Sequence, residues 1–248
     1  SHFRRSIVNP KNATALVTGA NRGIGREIVR ALLAAGAPKI YAAARNEATL
    51  AGTLALDPAR VVPLKVDVTD RAAVAALATR ARDVTLLVNN AGVLDFGGIL
   101  EAPQEAVERN LATNFYGKLN MARAFAPVIE ANGGGAIVNL LTLVALASMP
   151  GLAVYNASKA AAWSMTQSLR AGLAGRGVEV FGVFPGAVDT DMLAGVDMPK
   201  TSPAEVARAI VQGIAEGRED IFPDPMSTQM YAAWKQDHKA VEKQFAAM

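Results

Sequence analysis

Short β-rich runs, most of them continuously apolar, recur along this chain, and a helical pattern follows most of them. The runs fall at 13–17, 39–43, 61–66, 85–88, 136–140, 178–184 and 220–222; the helical patterns cover 24–35, 70–80, 105–131, 155–174 and 203–216. A strand exposed on one face alternates apolar and polar residues, whereas a strand covered on both faces reads as an unbroken apolar run. Strand, helix and strand in repeated succession therefore predict an α/β fold, with a mostly parallel seven-stranded sheet covered on both faces. Local signals agree. Ile24, Ile28 and Leu32 repeat at helical spacing, and Gly36 then Pro38 end that helix. Ser202-Pro203-Ala204-Glu205 is a capping box with proline at the first helical position.

With 248 residues, 51% of them hydrophobic, the chain can bury one sizeable core, and we expect a single domain over 1–248. Residues 1–12 read as an N-terminal arm. Residues 225–248 read as an amphipathic helical extension, with Met226, Met230, Trp234, Val241 and Phe245 near one stripe. That stripe fits docking on its own subunit, contact with a neighbouring subunit, or a cover over a site. The net charge of +3 is scattered, and Arg4-Arg5 is the one small basic cluster, so nothing points to nucleic acid. Cysteine is absent, which excludes thiolate nucleophiles and Cys-based zinc sites and fits a reducing compartment. His2 and His238 lie near opposite ends, so a histidine-based triad or metal site is not expected. No segment reads as a signal peptide or membrane span; the expectation is a soluble, cytoplasmic chain.

The first strand runs into Thr18-Gly-Ala-Asn-Arg-Gly-Ile-Gly25. Gly19, Gly23 and Gly25 allow a tight turn and close approach of a pyrophosphate, while free N–H groups and the helix dipole favour its charge. At the first strand-to-helix junction of a doubly wound sheet, this predicts a Rossmann-type dinucleotide site, with Asn21, Arg22 and Ile24 also in the turn. The second strand ends Ala42-Ala43-Ala44-Arg45, with no acid before Glu47. An Asp or Glu there would bind a ribose 2′-hydroxyl, whereas Arg45, with Arg22 nearby, suits a 2′-phosphate. The reading prefers NADP(H), with NAD(H) left open. Further along, Tyr155 and Lys159 stand one helical turn apart. A phenol beside an ammonium can serve as an acid/base, because a nearby cation favours the phenolate.

These features together resemble the short-chain dehydrogenase/reductase family, from about residue 13 to 222. Its markers stand here as Thr18–Gly25, Asp67-Val68, Asn89-Asn90-Ala91-Gly92, Asn114, Tyr155 with Lys159, and Pro185-Gly186. The resemblance implies that Tyr155 protonates a carbonyl oxygen, or deprotonates an alcohol in reverse. It implies that Lys159 binds the nicotinamide ribose and lowers the Tyr155 pKa, and that Asn114 holds a water in a relay behind Lys159. Asp67 would contact adenine, with Val68 beside it; Asn90, Ala91 and Gly92 would lie along the cofactor. Pro185, Gly186 and Val188 would line the nicotinamide pocket, with Thr190 near the carboxamide. Where the family usually has Ser, thirteen residues before the Tyr, this chain has Thr142. Its hydroxyl can still donate to a substrate oxygen, while its extra methyl restricts χ1 and occupies space.

Leu94, Leu143, Met149, Met192 and Leu193, with Thr142 and Tyr155, are the expected substrate wall, and the first two of its segments carry no Arg or Lys. The expected activity is NADPH-dependent reduction of a neutral, fairly hydrophobic ketone or aldehyde. An alcohol dehydrogenase working mainly in oxidation, and a non-catalytic NADP(H)-binding sensor, remain open alternatives. The resemblance also implies a homodimer or homotetramer built on helices 105–131 and 155–174.

Overall fold

The computed structural model describes residues 8–248. The expected arm over 1–12 thus falls partly outside the described residues; its remainder includes a short 3-10 turn, Pro10–Asn12. Seven parallel strands form one sheet: β1 (Thr14–Thr18), β2 (Lys39–Ala44), β3 (Val61–Lys65), β4 (Leu86–Asn89), β5 (Gly135–Leu140), β6 (Val178–Val183) and β7 (Asp220–Ile221), in the spatial order 3-2-1-4-5-6-7. The chain winds outward from β1 to β3, then crosses back and winds the other way from β4. A crevice opens at that reversal, outside the carboxyl ends of β1 and β4. Pro63 lies in β3, at one edge of the sheet, where a missing N–H is tolerated.

Successive strand residues face opposite layers. Ala15, Val17, Ile40, Ala42, Leu86, Val88 and Val138 face the layer of helices α1 (Gly23–Ala34) and α7 (Pro203–Ala215), where Ile28, Leu32, Ile210 and Ile214 are fully buried. Leu16, Ala43, Leu87 and Ile137 face α3 (Arg71–Arg80) and α5 (Lys118–Ala131), against Val74, Met121, Phe125 and Ile129. A short α2 (Ala51–Leu54) follows a 3-10 turn after β2. Ser202 caps α7 as expected, its hydroxyl accepting from the Glu205 N–H. Among the described residues no helix is long and apolar enough to cross a membrane.

Two expected helices differ. The pattern over 105–131 is not one regular helix. It comprises α4 (Gln104–Leu111), a wider π-type turn (Ala112–Gly117) and α5. A π-type turn is a single wider turn inside an otherwise helical run, so the segment still reads as helix in sequence. Gly117 closes the turn where a Cβ would meet the Val68 side chain at 2.6 Å. The tail is likewise two helices, α8 (Pro225–Gln236) and α9 (His238–Ala246). Asp237 leaves α8 in an extended conformation and its carboxylate accepts from the Ala240 N–H, starting α9 afresh. The remaining long helix, α6 (Ala153–Leu173), lies close to its expected bounds.

Gly117→Ala crowds the contact between the π-type turn and Val68. It is expected to lower stability by about 1–3 kcal/mol, as overpacking does; urea unfolding checks this, and an unchanged midpoint would remove that contact as the reason for glycine.

Candidate active site

The crevice at the strand reversal is a groove of about 770 Å³. Its floor is the glycine turn. Gly19 and Gly23 have φ of +64° and +53°, which side chains rarely adopt. A Cβ on Gly19 would press on the Asn90 amide and the Ala91 backbone, and one on Gly25 would collide with the Gly19 carbonyl. Gly25 is buried and does not line the groove; its lack of a side chain lets the turn close. Asn21, Arg22, Gly23 and Ile24 line the groove from this side.

The opposite wall is the segment after β4. Asn90 donates from its side-chain amide to the Thr18 and Gly19 carbonyls at 3.0 and 3.1 Å. Thr18 Oγ1 accepts from the N–H groups of Asn90 and Ala91 at 3.1 and 3.0 Å. The expected cofactor residue Asn90 is thus also the brace between the two loops. At the adenine end, Arg45 is exposed at the mouth, and Asp67 and Val68 line the groove with Asp67 accepting from Thr69. Arg26 joins Arg22 and Arg45 there, stacked on Gly52 with its Nε buried and unpartnered. Its position one turn into α1 carried no signal in the sequence. Thr190 lines the far side against Gly23, and Arg22 pairs with Asp191 at 2.8 Å across the groove.

Tyr155, Lys159, Thr142 and Asn114, on α6, the loop after β5 and the π-type turn, do not line the groove; they are buried, with Asn114 and Lys159 against Gly92 of its wall. The Thr142 hydroxyl faces the Tyr155 phenol and favours its ionised form. Thr142 Oγ1 also lies 3.5 Å from the Pro185 carbonyl and accepts from the Val144 N–H at 3.4 Å. Lys159 Nζ donates to the Leu140 carbonyl at 3.0 Å and lies 5.5 Å from the centre of the Tyr155 ring. A Cβ on Gly92 would meet Asn114 Oδ1 at 3.1 Å and Lys159 Nζ at 3.6 Å, so Gly92 admits both. The Asn114 amide is committed to protein: it bonds both backbone groups of Val93 at 2.9 Å and donates to Ser158 Oγ at 2.9 Å. Ser158, unmarked by the sequence, in turn donates to the Tyr155 carbonyl at 2.7 Å.

The electrostatics depart from expectation. Burial pushes the Tyr155 phenol up to about 12, partly offset by the bond to Thr142, rather than down. Burial also lowers Lys159, to about 8. Desolvation therefore outweighs any help from Lys159 within the protein itself. At neutral pH the phenol keeps its proton and the ammonium keeps its charge.

The expected substrate residues separate into two groups. Leu94, Leu143 and Met149 cluster with Tyr155, and the tail closes over them through Met226, Met230, Trp234, Val241 and Phe245. The cover reading of the tail and docking on its own subunit hold together here. Met192 lines the groove instead, while Leu193 lies outside both that lining and the cluster. Gly186 donates its N–H to the buried Asp224 at 2.9 Å and abuts Met226, linking α8 to the Pro185-Gly186 loop. Val188 is buried in the α1–α7 layer. Ser148 is exposed.

Known proteins match this arrangement. The family model described as short chain dehydrogenase matches residues 13–200. The sorbitol dehydrogenase of Cereibacter sphaeroides is 38% identical over 189 residues, 74% of this chain and 73% of that protein. A short chain dehydrogenase from Burkholderia cenocepacia J2315, solved in complex with NADP, is 38% identical with a TM-score of 0.90, covering 96% of this chain and 98% of that one. A short chain dehydrogenase/reductase from Burkholderia phymatum, solved with NAD, is 28% identical with a TM-score of 0.85, covering 95% and 96%. Other curated relatives, 39% identical over 186 residues, are longer, and the chain spans 31% of their length. The chain belongs to the short-chain dehydrogenase/reductase family.

The lowered Lys159 sets a stability dependence. Its folded value, about 8, lies below the ordinary 10.5, so between these the unfolded chain binds more protons and stability rises with pH. Lys159→Met removes this contribution. Urea unfolding is expected to show the variant gaining on the wild type at pH 7, with the gap narrowing from about pH 8 to 10, the interval between these two values. A gap that stays constant with pH would mean Lys159 titrates as an ordinary lysine.

Proposed function

We propose that this chain reduces neutral, fairly hydrophobic ketones or aldehydes with NADPH. The observation that carries this reading is the hydroxyl pair of Tyr155 and Thr142, buried with Lys159 where a bare glycine groove meets an apolar cluster. The nicotinamide, when bound, supplies the hydride. Gly19, Gly23 and the start of α1 fit a pyrophosphate, since a Cβ on either glycine would enter or crowd that cradle. Asn21, Ile24, Asn90, Ala91 and Gly92 border the cofactor; Pro185, Gly186, Val188 and Thr190 shape its nicotinamide end. Tyr155 holds a proton at neutral pH, the form that can deliver it to a carbonyl oxygen. Thr142 orients that oxygen beside it, and one such donor is worth roughly 3 kcal/mol in a transition state. Lys159 retains a positive charge nearby to stabilise the phenolate left behind. Asn114 fixes Val93 and, through Ser158, the backbone of Tyr155.

The 2′-phosphate preference rests on Arg45, Arg22 and Arg26 at the adenine end, where no carboxylate ends β2. The cluster of Leu94, Leu143 and Met149 under the tail supports an apolar substrate. A second reading, oxidation of a polyol's secondary hydroxyl, takes its support from the sorbitol dehydrogenase relative. The same groups would serve it in reverse. A homodimer or homotetramer through α4–α6 also belongs to this proposal, with Tyr116 exposed on the π-type turn as its support.

Tyr155→Phe is expected to lose at least about a hundredfold in kcat, the usual worth of a general acid, while binding NADPH as the wild type does. Retention of most turnover on a panel of ketones, aldehydes and polyols would refute the role of Tyr155. Arg45→Ala is expected to weaken NADPH binding by about tenfold, as loss of one charged hydrogen bond does, and to leave NADH binding nearly unchanged. Calorimetry with both nucleotides decides, and equal effects on the two would overturn the phosphate assignment.

A further inference from the structure

Among the described residues Lys118 is one of the largest fully buried side chains, 2% exposed, and no step above employs it. It opens α5, directly after the π-type turn that carries Asn114. Its Nζ donates to the Ala91 carbonyl at 2.9 Å. Ala91 forms the groove wall, so the lysine grips that wall from behind. The next two residues of the wall are held from the same side: Gly92 lies against Lys159 and Asn114, and Val93 is bonded twice by Asn114. The charge that acts on Lys118 is that of Lys159 on α6, while from β4 Asn89 offers only its amide, donating weakly to the Lys118 carbonyl. Burial, and then the like charge of Lys159, hold its amine well below the usual lysine range. An amine without a carboxylate partner in such a place is destabilising, and an apolar isostere would fill the space at least as well.

We propose that Lys118 is a positioning residue of this site, anchoring the Ala91 carbonyl behind the cofactor wall and, by taking up a proton beside Lys159, making the site favour reduced over oxidised nucleotide as pH falls. This rests on the nicotinamide reading above and deepens it. The physical reason is charge. An oxidised nicotinamide ring is positive and a reduced ring is neutral. A second buried ammonium near Lys159 therefore opposes the oxidised form and leaves the reduced form nearly untouched. A merely structural lysine would weaken both nucleotides alike.

The test measures dissociation constants for oxidised and reduced nucleotide by calorimetry, without carbonyl substrate, across about pH 5 to 9, below the ordinary lysine range. The proteins are the wild type, Lys118→Met and Lys118→Gln; the glutamine keeps a donor for Ala91 but cannot take up the proton. In the wild type the ratio of oxidised to reduced dissociation constants is expected to rise on acidification by at least about fivefold more than in either variant. Lys118→Gln is also expected to bind reduced nucleotide more tightly than Lys118→Met, because it retains the anchor. If one variant fails to fold, the other still decides the charge effect. A ratio with the same pH course in wild type and folded variant overturns the proposal. Failure to turn over any carbonyl leaves this binding test intact, whereas failure of the wild type to bind either nucleotide overturns both readings.

Discussion

Asn90 holds two loops together at the point where the sheet reverses direction. Its side-chain amide bonds two carbonyls of the glycine turn, while the Thr18 hydroxyl returns two bonds to the backbone after β4. Each bond is individually modest, about 1 kcal/mol net, but the four share one rigid geometry. They fix the width of the groove. They also fix the path of Ala91, Gly92 and Val93, and through those residues the positions of Lys118, Lys159 and Asn114. The glycines are required on the same account, since a Cβ on Gly19 or Gly25 would strike this brace.

The fold was legible because the strands are buried on both faces. Apolar runs such as Leu86-Leu87-Val88 and the switch to helical spacing at Ile24 carry that information in the local pattern. The glycine turn and the Tyr155–Lys159 spacing were legible for a similar reason: each is a local pattern whose chemistry depends on neighbours in the chain. The π-type turn at Asn114 was not, because it is one turn within a continuous helical run and its buried residues, Asn114 and Gly117, carry no apolar signal. Nothing in the amphipathic pattern of the tail distinguishes Asp237, which caps a new helix. Lys118 reads in sequence as an ordinary surface lysine. Only the fold, which seats its amine on the Ala91 carbonyl after β4, removes it from water. The phenol of Tyr155 shows the same limit. Sequence supplies its cationic neighbour but not the depth of burial that outweighs it.

Charge in this site is therefore controlled more by exclusion of water than by pairing. Tyr155, Lys159 and Lys118 are each nearly buried, and each is shifted toward its neutral form. Such a site responds strongly to any charge that enters, because few competing dipoles screen it. The arginines at the adenine end work differently: Arg45 is exposed at the rim, and Arg22, also exposed, is paired with Asp191. The groove thus joins a wet, electrostatically soft end to a dry, responsive one.

The bond from Gly186 to Asp224 gives the tail a part in the order of assembly. Asp224 caps α8 and grips the loop after β6 with the same carboxylate. The glycine turn, its brace and the Tyr155 helix all precede it in the chain. A ribosome therefore completes the cofactor groove before the residues that roof the apolar cluster have emerged. Two parts of the molecule with different tasks are thus separated along the chain. The last two helices roof the apolar cluster and take no part in the brace between β1 and β4.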